Sequence, residues 1–160
     1  MCIILVAWHA HPTYPLVVAA NRDEFFSRPS AAAAFWPDQP DVVAGRDLDA
    51  GGTWLGLTRN GRFAALTNFR DPAGHRTKRR SRGQLVAGFL TDKSGPEAYL
   101  QGVAATAGEF NGYNLLVGDR HSLAWFSNVT GQERLLPPGI YGLLHVNDRE
   151  IDLQPGLNEF

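Results

Sequence analysis

The chain has 160 residues, 44 % of them hydrophobic, which suits one globular domain or two at most. Its formal net charge of −1 excludes a strong global field of the kind that recruits nucleic acid or an anionic membrane. The apolar start, residues 1–8, is too short to span a bilayer, so no stable membrane insertion is expected. Cys2 is the single cysteine and no targeting segment is recognisable, which together favour a reducing, cytoplasmic location.

The first half of the chain predicts strands. Residues 2–8 are apolar at every position, which indicates a strand covered on both faces. Residues 15–20 predict its neighbour, which leads into the tetrapeptide at 21–24. Residues 27–51 contain three prolines and an alanine run, and we expect an irregular excursion there.

An Asn-Gly pair at 60–61 separates two strand-like segments. Both residues of a two-residue type I′ turn need positive φ, and Asn-Gly meets that need, so the pair predicts a β-hairpin. The register that follows pairs Arg59 with Arg62 and, further back, Thr53 with Asn68.

Two helices are predicted next. Ser81 and Gln84 have the spacing of a capping box, and Ser94 and Glu97 repeat it. The first helix has one apolar face, formed by Leu85, Val86, Phe89 and Leu90. Further strands are predicted at residues 113–119, 123–128 and 140–144. Strands, a helical pair and strands again predict an α+β fold with helices packed outside the sheets.

Cys2 is a candidate nucleophile because of its place in the chain. An initiator methionine is usually removed ahead of a small side chain, and removal of Met1 would give Cys2 a free α-amine beside its thiol. An α-amine titrates near neutral pH and can act as a general base. N-terminal residues that carry nucleophile and base together are a known catalytic solution. The alternative is that Cys2 is a small apolar strand residue.

The segment Asn21-Arg22-Asp23-Glu24 places four polar residues directly after an apolar strand, where burial without partners is costly. In an extended strand Asn21 and Asp23 share one face, and Arg22 and Glu24 the other. A carboxylate beside the α-amine of Cys2 would hold that amine in place. The alternative is a strand-end cluster of salt bridges.

Residues 76–82 read R-T-K-R-R-S-R and form the one dense basic run. We favour a solvated loop for this run. The alternative is an anion clamp for a phosphate or carboxylate ligand.

Several segments, in order along the chain, resemble the NRDE family, which is named for its tetrapeptide. They are M-C at 1–2, A-N-R-D-E-F-F-S-R-P at 20–29, G-T-W-L-G at 52–56, A-L-T-N-F-R-D-P at 65–72, S-R-G-Q-L-V at 81–86, Y-N-L-L-V-G-D at 113–119 and Y-G-L at 141–143. The resemblance covers about residues 1–143, and several motifs in the right order make it specific.

That family is in turn similar to the N-terminal nucleophile (Ntn) hydrolases, in particular to penicillin V acylase and bile salt hydrolase. The resemblance implies a four-layer αββα sandwich and an N-terminal cysteine that cleaves amides. It assigns Cys2 as nucleophile, Asp23 as the carboxylate that holds the α-amine, and Asn68 as a donor to the tetrahedral oxyanion. The hydrolases' nearby arginine is expected where Ala20 stands, and Arg22 is the candidate substitute.

The resemblance fades after Leu143, where the family continues with Ser-Asn. We therefore expect an NRDE, Ntn-hydrolase-like domain over residues 1–143 and a divergent tail over 144–160, with the sandwich incomplete or shortened at its C-terminus. A sheet that lacks later strands exposes an edge and apolar surface. We expect a homo-oligomer that covers this surface; the alternative is a rearranged tail that does so.

Two functions are carried forward. The first is a thiol-dependent hydrolase of a non-peptide C–N (amide) bond that requires no cofactor. The second is a non-catalytic protein that binds and traffics haem, a lipid or an acyl-CoA, with a small amphipathic molecule or haem held in an apolar mouth with a basic rim. His9 and His11 share a strand face but have no third ligand at useful spacing, so no metal site is predicted.

Overall fold

The computed structural model describes residues 2–69 and 79–144. Within these ranges the strands are β1 (Ile3–Trp8), β2 (Leu16–Asn21), β3 (Ser30–Trp36), β4 (Gln39–Asp47), β5 (Leu55–Thr58), β6 (Phe63–Asn68), β7 (Tyr113–Gly118), β8 (Leu123–Ser127), β9 (Glu133–Leu135) and β10 (Gly139–Leu144). The helices are α1 (Gly83–Thr91) and α2 (Pro96–Ala105), followed by a single 3₁₀ turn, Ala107–Glu109. Of the predicted tail, residues 144–160, Leu144 is the last residue of β10, and residues 145–160 lie outside the described residues.

Two antiparallel sheets face each other. The smaller has the order β10-β1-β2, and the larger has the order β3-β4-β5-β6-β7-β8-β9. Side chains from both sheets share the core between them, among them Ile4, Val6, Trp8, Phe63, Leu116, Trp125 and Tyr141. The opposite face of the larger sheet packs on α1 and α2, through residues such as Leu66, Leu115, Phe126, Val86, Phe89 and Leu100. The predicted α+β class is therefore confirmed. In the described ranges we find no helix with the length and apolarity needed to cross a bilayer.

The strand β1 is half-exposed. Ile4, Val6 and Trp8 are buried against the larger sheet, whereas Leu5 is 42 % exposed. Val17 of the neighbouring β2 is 43 % exposed. The prediction that residues 2–8 are covered on both faces is therefore wrong. A continuous apolar run shows which side chains a strand carries, but it does not show whether another layer packs on each face of the sheet.

Residues 27–51 contain a regular hairpin, and the prediction of an irregular excursion is wrong. β3 and β4 pair antiparallel, with register shifts after Ala31 and after Phe35. The three prolines, Pro29, Pro37 and Pro40, fall before, between or at the start of these strands. At those positions a missing backbone N–H is tolerated, so proline does not break the pairing.

The hairpin of β5 and β6 has a longer turn than predicted. Leu57 pairs with Phe63, which leaves one more residue in the loop than a two-residue turn allows. Gly61 has φ of 87°, but the residue before it does not have the positive φ that a type I′ turn requires. The register shifts accordingly, and the prediction that Thr53 lies opposite Asn68 is wrong by one residue.

The buried face of α1 is the predicted one: Leu85, Val86, Phe89 and Leu90. Both predicted capping boxes are wrong, because the N-cap residues are Arg82 and Gly95 in place of Ser81 and Ser94, and neither cap makes a side-chain hydrogen bond. Pro96 occupies the start of α2, a position that suits its fixed φ and missing N–H.

An ion pair joins the segment after β2 to the end of β4. Arg28 donates from Nε (3.0 Å) and Nη2 (2.7 Å) to Oδ2 of Asp47. The other oxygen of Asp47 accepts the N–H groups of Asp49 (3.0 Å) and Ala50 (3.1 Å). Burial opposes ionisation of Asp47, but these hydrogen bonds outweigh it and lower its pKa.

Substitution of Gly52 tests the docking of α1. Gly52 has φ of 80°, and a Cβ there would stand 2.5 Å from the carbonyl oxygen of Gly83, the first residue of α1. We expect Gly52→Ala to lower the free energy of unfolding by at least about 2 kcal/mol in urea titrations. The matched control is Gly102→Ala in α2, which meets no atom within 4 Å and should stabilise by up to about 1 kcal/mol. Equal effects of the two variants would contradict tight docking at Gly52.

The Arg28–Asp47 pair predicts a pH dependence of stability. Because the pKa of Asp47 is lowered on folding, its contribution is complete above the usual carboxyl range and is lost as pH falls through the folded-state pKa. Asp47→Asn should lower the free energy of unfolding by about 1–3 kcal/mol at about pH 7, and this deficit should shrink below about pH 4. Denaturant titrations across pH measure both. Asp49→Asn, whose side chain is 66 % exposed, is the control and should change little.

Candidate functional site

A cavity of about 830 Å³ opens where the start of β1, the segment after β2 and the N-terminal end of α1 meet the larger sheet. Its wall combines apolar and charged groups. The apolar part includes Val43, Trp54, Leu55, Leu57 and Leu66. The polar part includes Cys2, Arg22, Glu24, Arg28, Asp47, Asn68 and Arg82.

Strand pairing brings Cys2 to this cavity. Ile3 pairs with Asn21, so the start of β1 lies beside the residues that follow β2. The Cys2 thiol is 4.0 Å from the main-chain carbonyl oxygen of Asp23. Because β1 contributes its inner face to the core, this register fixes the position of Cys2 at the rim of the sheet interface.

The residues after β2 form an ion-pair cluster. Arg22 Nη2 lies 2.8 Å from Glu24 Oε2, and Glu24 Oε1 accepts the N–H of Phe25 at 3.0 Å. Arg28 Nε lies 4.0 Å from the same carboxylate. Glu24 therefore sits between two guanidinium groups, which holds Arg22 at the cavity wall near Cys2.

Asn68 reaches the cavity from the other sheet. It is the last residue of β6 and pairs with Tyr113 of β7. The structure thus brings three of the four predicted site residues, Cys2, Arg22 and Asn68, to one cavity. The fourth, Asp23, is not among the described residues that line the cavity. It lies beside Cys2, and its main-chain carbonyl oxygen contacts the thiol.

Arg82 was not among the predicted site residues. Its Nη1 donates to the carbonyl oxygen of Gly112 at 2.9 Å, and the residue is partly buried. The pKa of Arg82 is lowered, mainly by burial. Nearby Glu24 and Cys2 act to raise this pKa, and Arg28 acts to lower it further. A guanidinium nevertheless remains charged at neutral pH. The favoured interpretation of the basic run as a solvated loop is therefore wrong for Arg82, while residues 76–78 lie outside the described residues.

Positive charge exceeds negative charge on the cavity wall. Among the described residues, the lining includes six arginines, Arg22, Arg28, Arg46, Arg79, Arg80 and Arg82, but two carboxylates, Glu24 and Asp47. Arg46 and Arg80 pair with carboxylates outside the wall, on Asp38 and Glu109. In the part of the chain that the structure describes, Arg79 and Arg82 have no carboxylate within 4 Å. The net charge of the whole chain, −1, does not indicate this local excess, because acidic residues elsewhere in the chain balance the arginines.

A second group that sequence reasoning missed lies between the sheets. Thr67, Asn114 and Ser127 are buried on neighbouring strands, in paired positions. Asn114 Nδ2 lies 3.4 Å from Thr67 Oγ1, whereas Asn114 Oδ1 and Ser127 Oγ have no hydrogen-bond partner among the described residues. The sequence signal that could have identified this group is a polar residue in each of three otherwise apolar strands, since burying a polar side chain costs free energy.

Comparison with known proteins identifies the family. The family model described as "Transport and Golgi organisation 2" matches residues 1–147. The transport and Golgi organization protein 2 homologs of cattle and human are 40 % and 38 % identical over 156 residues, with 89 % of this chain and 56 % of each relative covered. The Drosophila melanogaster protein is 36 % identical over 106 residues. The chain therefore spans little more than half the length of the mammalian relatives. The resemblance to the NRDE family is confirmed, and the chain belongs to the Transport and Golgi organisation 2 family.

Proposed function

We propose that the protein is a thiol-dependent hydrolase of a non-peptide amide C–N bond, with Cys2 as its nucleophile after removal of Met1. The observation that carries this proposal is that Cys2, from the smaller sheet, and Asn68, from the larger one, line the same cavity. A nucleophile and an amide donor on facing elements are two of the parts that acyl transfer needs.

We further infer that the fold is an Ntn-hydrolase-like αββα sandwich. The helical layer and the two facing sheets of the described residues support three of its four layers. The family resemblance supplies the remaining layer and the role of the N-terminal cysteine.

In the proposed reaction the Cys2 sulfur attacks the carbonyl carbon of the amide, and the α-amine of Cys2 accepts the thiol proton. Asn68 donates a hydrogen bond to the oxyanion that forms. Collapse of the intermediate breaks the C–N bond, and the α-amine returns the proton to the departing amine. Water then hydrolyses the thioester and releases the acid.

Asp23 and Arg22 have supporting roles in this scheme. Asp23 would hold the α-amine of Cys2, since its main chain already lies beside the thiol. Arg22, fixed by its ion pair with Glu24, would stabilise negative charge on the sulfur or on the oxyanion. No cofactor is required.

The second candidate is a non-catalytic protein that binds and traffics haem, a lipid or an acyl-CoA. The size of the cavity favours it, because about 830 Å³ lies in the range of small-molecule sites. Its mixture of apolar wall and arginines suits an amphipathic ligand. A cytoplasmic location and a homo-oligomeric state also remain predictions.

The mature N-terminus and the Cys2 side chain test the hydrolase directly. Mass spectrometry of the purified protein should show that Met1 is absent. With N-octanoyl-p-nitroanilide as probe, wild-type protein should release nitroaniline, and Cys2→Ala should abolish release. An uncleaved N-terminal extension, which removes the free α-amine, should abolish it as well without changing the thermal unfolding midpoint. Undiminished release by Cys2→Ala would overturn the proposal.

The oxyanion role of Asn68 has its own signature. Asn68→Ala should lower kcat by about 10²–10³-fold with a much smaller change in KM, because the lost hydrogen bond forms fully in the transition state. The matched control is Asn60→Ala, an exposed turn residue away from the cavity, which should leave kcat within about twofold. A change confined to KM would rule out the oxyanion role.

A further inference from the structure

We propose that the cavity binds an anionic amphipathic ligand whose oxyanion, a carboxylate or phosphate, pairs with the guanidinium of Arg82 while its apolar part lies along Val43, Leu55 and Leu57. The inference deepens the proposed function and rests on the same cavity as the ligand site. It is tested by measuring ligand affinity, and the result does not depend on whether the protein hydrolyses an amide.

The first argument is charge balance. Arg82 lines the cavity and has no carboxylate within 4 Å among the described residues. Its hydrogen bond to Gly112 goes to a neutral carbonyl, which orients the guanidinium but does not neutralise it. A partly buried cation with no carboxylate partner among the described residues is costly, and an anionic ligand lowers that cost.

The second argument is position. Arg82 is the N-cap residue of α1, and the docking of that helix on Gly52 places its backbone. The nearby carboxylate of Glu24 is already engaged by Arg22 and approached by Arg28. The excess positive charge therefore falls at the α1 end of the cavity, where a planar guanidinium can form two hydrogen bonds to one oxyanion.

The helix terminus itself is not the main donor. The N–H groups of Gln84 and Leu85 already donate to the carbonyl oxygens of Ser81 and Arg82, at 3.2 and 3.0 Å. The side chain of Arg82, and not the first turn of α1, is thus the group that would select an anion.

The third argument is the apolar wall. Leu55 and Leu57 contribute to the cavity from β5, together with Val43 of β4, which pairs with Leu57. Such a surface favours a hydrocarbon group and gives no reason to bind a small inorganic anion tightly. A ligand with both parts matches a cavity whose wall contains both apolar and cationic side chains.

Calorimetric titration of the wild-type chain with octanoate, octyl phosphate, octanol and octylammonium tests charge selectivity. Either anion should bind at least about tenfold more tightly than octanol, and octylammonium should bind most weakly. The tighter of the two anions distinguishes a carboxylate from a phosphate ligand. Equal affinity for octanol and both anions would overturn the inference, and this test does not depend on any variant folding.

Variants then assign the charge to its residue. Arg82→Gln should weaken binding of the preferred anion by at least about tenfold and leave octanol unchanged, and Arg82→Lys should restore part of the affinity. Arg134→Gln, on β9 outside the cavity, is the control and should stay within about twofold. Unchanged affinity in folded Arg82→Gln would overturn the inference. Absent hydrolysis by the wild-type protein, together with intact Arg82-dependent binding, would remove the proposed function alone.

Discussion

The candidate site depends on the packing of the two sheets face to face. Cys2 directly precedes β1 of the smaller sheet and Asn68 ends β6 of the larger one, and no local interaction along the chain brings them together. What does so is the apolar core between the sheets, in which residues such as Val6, Phe63 and Trp125 are withdrawn from water. Each such side chain contributes roughly 1.5–3 kcal/mol when buried, so the core holds the two halves of the site in register.

Register within each sheet then decides which side chains reach the cavity. The pairing of Ile3 with Asn21 puts Cys2 beside Asp23, and a slip of one residue would turn the opposite face of β1 toward the larger sheet. The inward residues Ile4 and Val6 resist such a slip, because their burial would be lost. The same core that stabilises the fold thus also positions the thiol.

Electrostatics gives the site a second level of organisation. Near Cys2 the guanidinium of Arg22 and the carboxylate of Glu24 neutralise each other, and Arg28 is engaged by Asp47. Arg82 is different, since the hydrogen bond that holds it goes to a main-chain oxygen. Among the described residues, the wall therefore combines arginines that pair with carboxylates and at least one, Arg82, that does not, and the two kinds are distinguished by their partners and not by residue type.

Sequence patterns predicted elements with strong local signals. The apolar face of α1 follows from helical periodicity, and the strands β1, β2, β7, β8 and β10 follow from short, mostly apolar segments. The order of strands, helices and strands then gives the α+β class. Local patterns failed where a partner strand overrides propensity, as in the alanine-rich β3, which β4 stabilises by pairing. They also failed for the turn before Gly61 and for both helix caps, where one residue more or less changes the geometry.

By itself the sequence determined the family, the order of most elements and the identity of three residues that meet at the cavity: Cys2, Arg22 and Asn68. Ordered motifs carry that information because they are read along the chain. Only the tertiary structure decided that Arg82 is a cavity residue, since its burial and the lack of a carboxylate within 4 Å among the described residues depend on contacts between distant segments. A run of basic residues looks alike in a solvated loop and in a binding site, and the difference arises when α1 docks on the larger sheet and withdraws one of those cations from water.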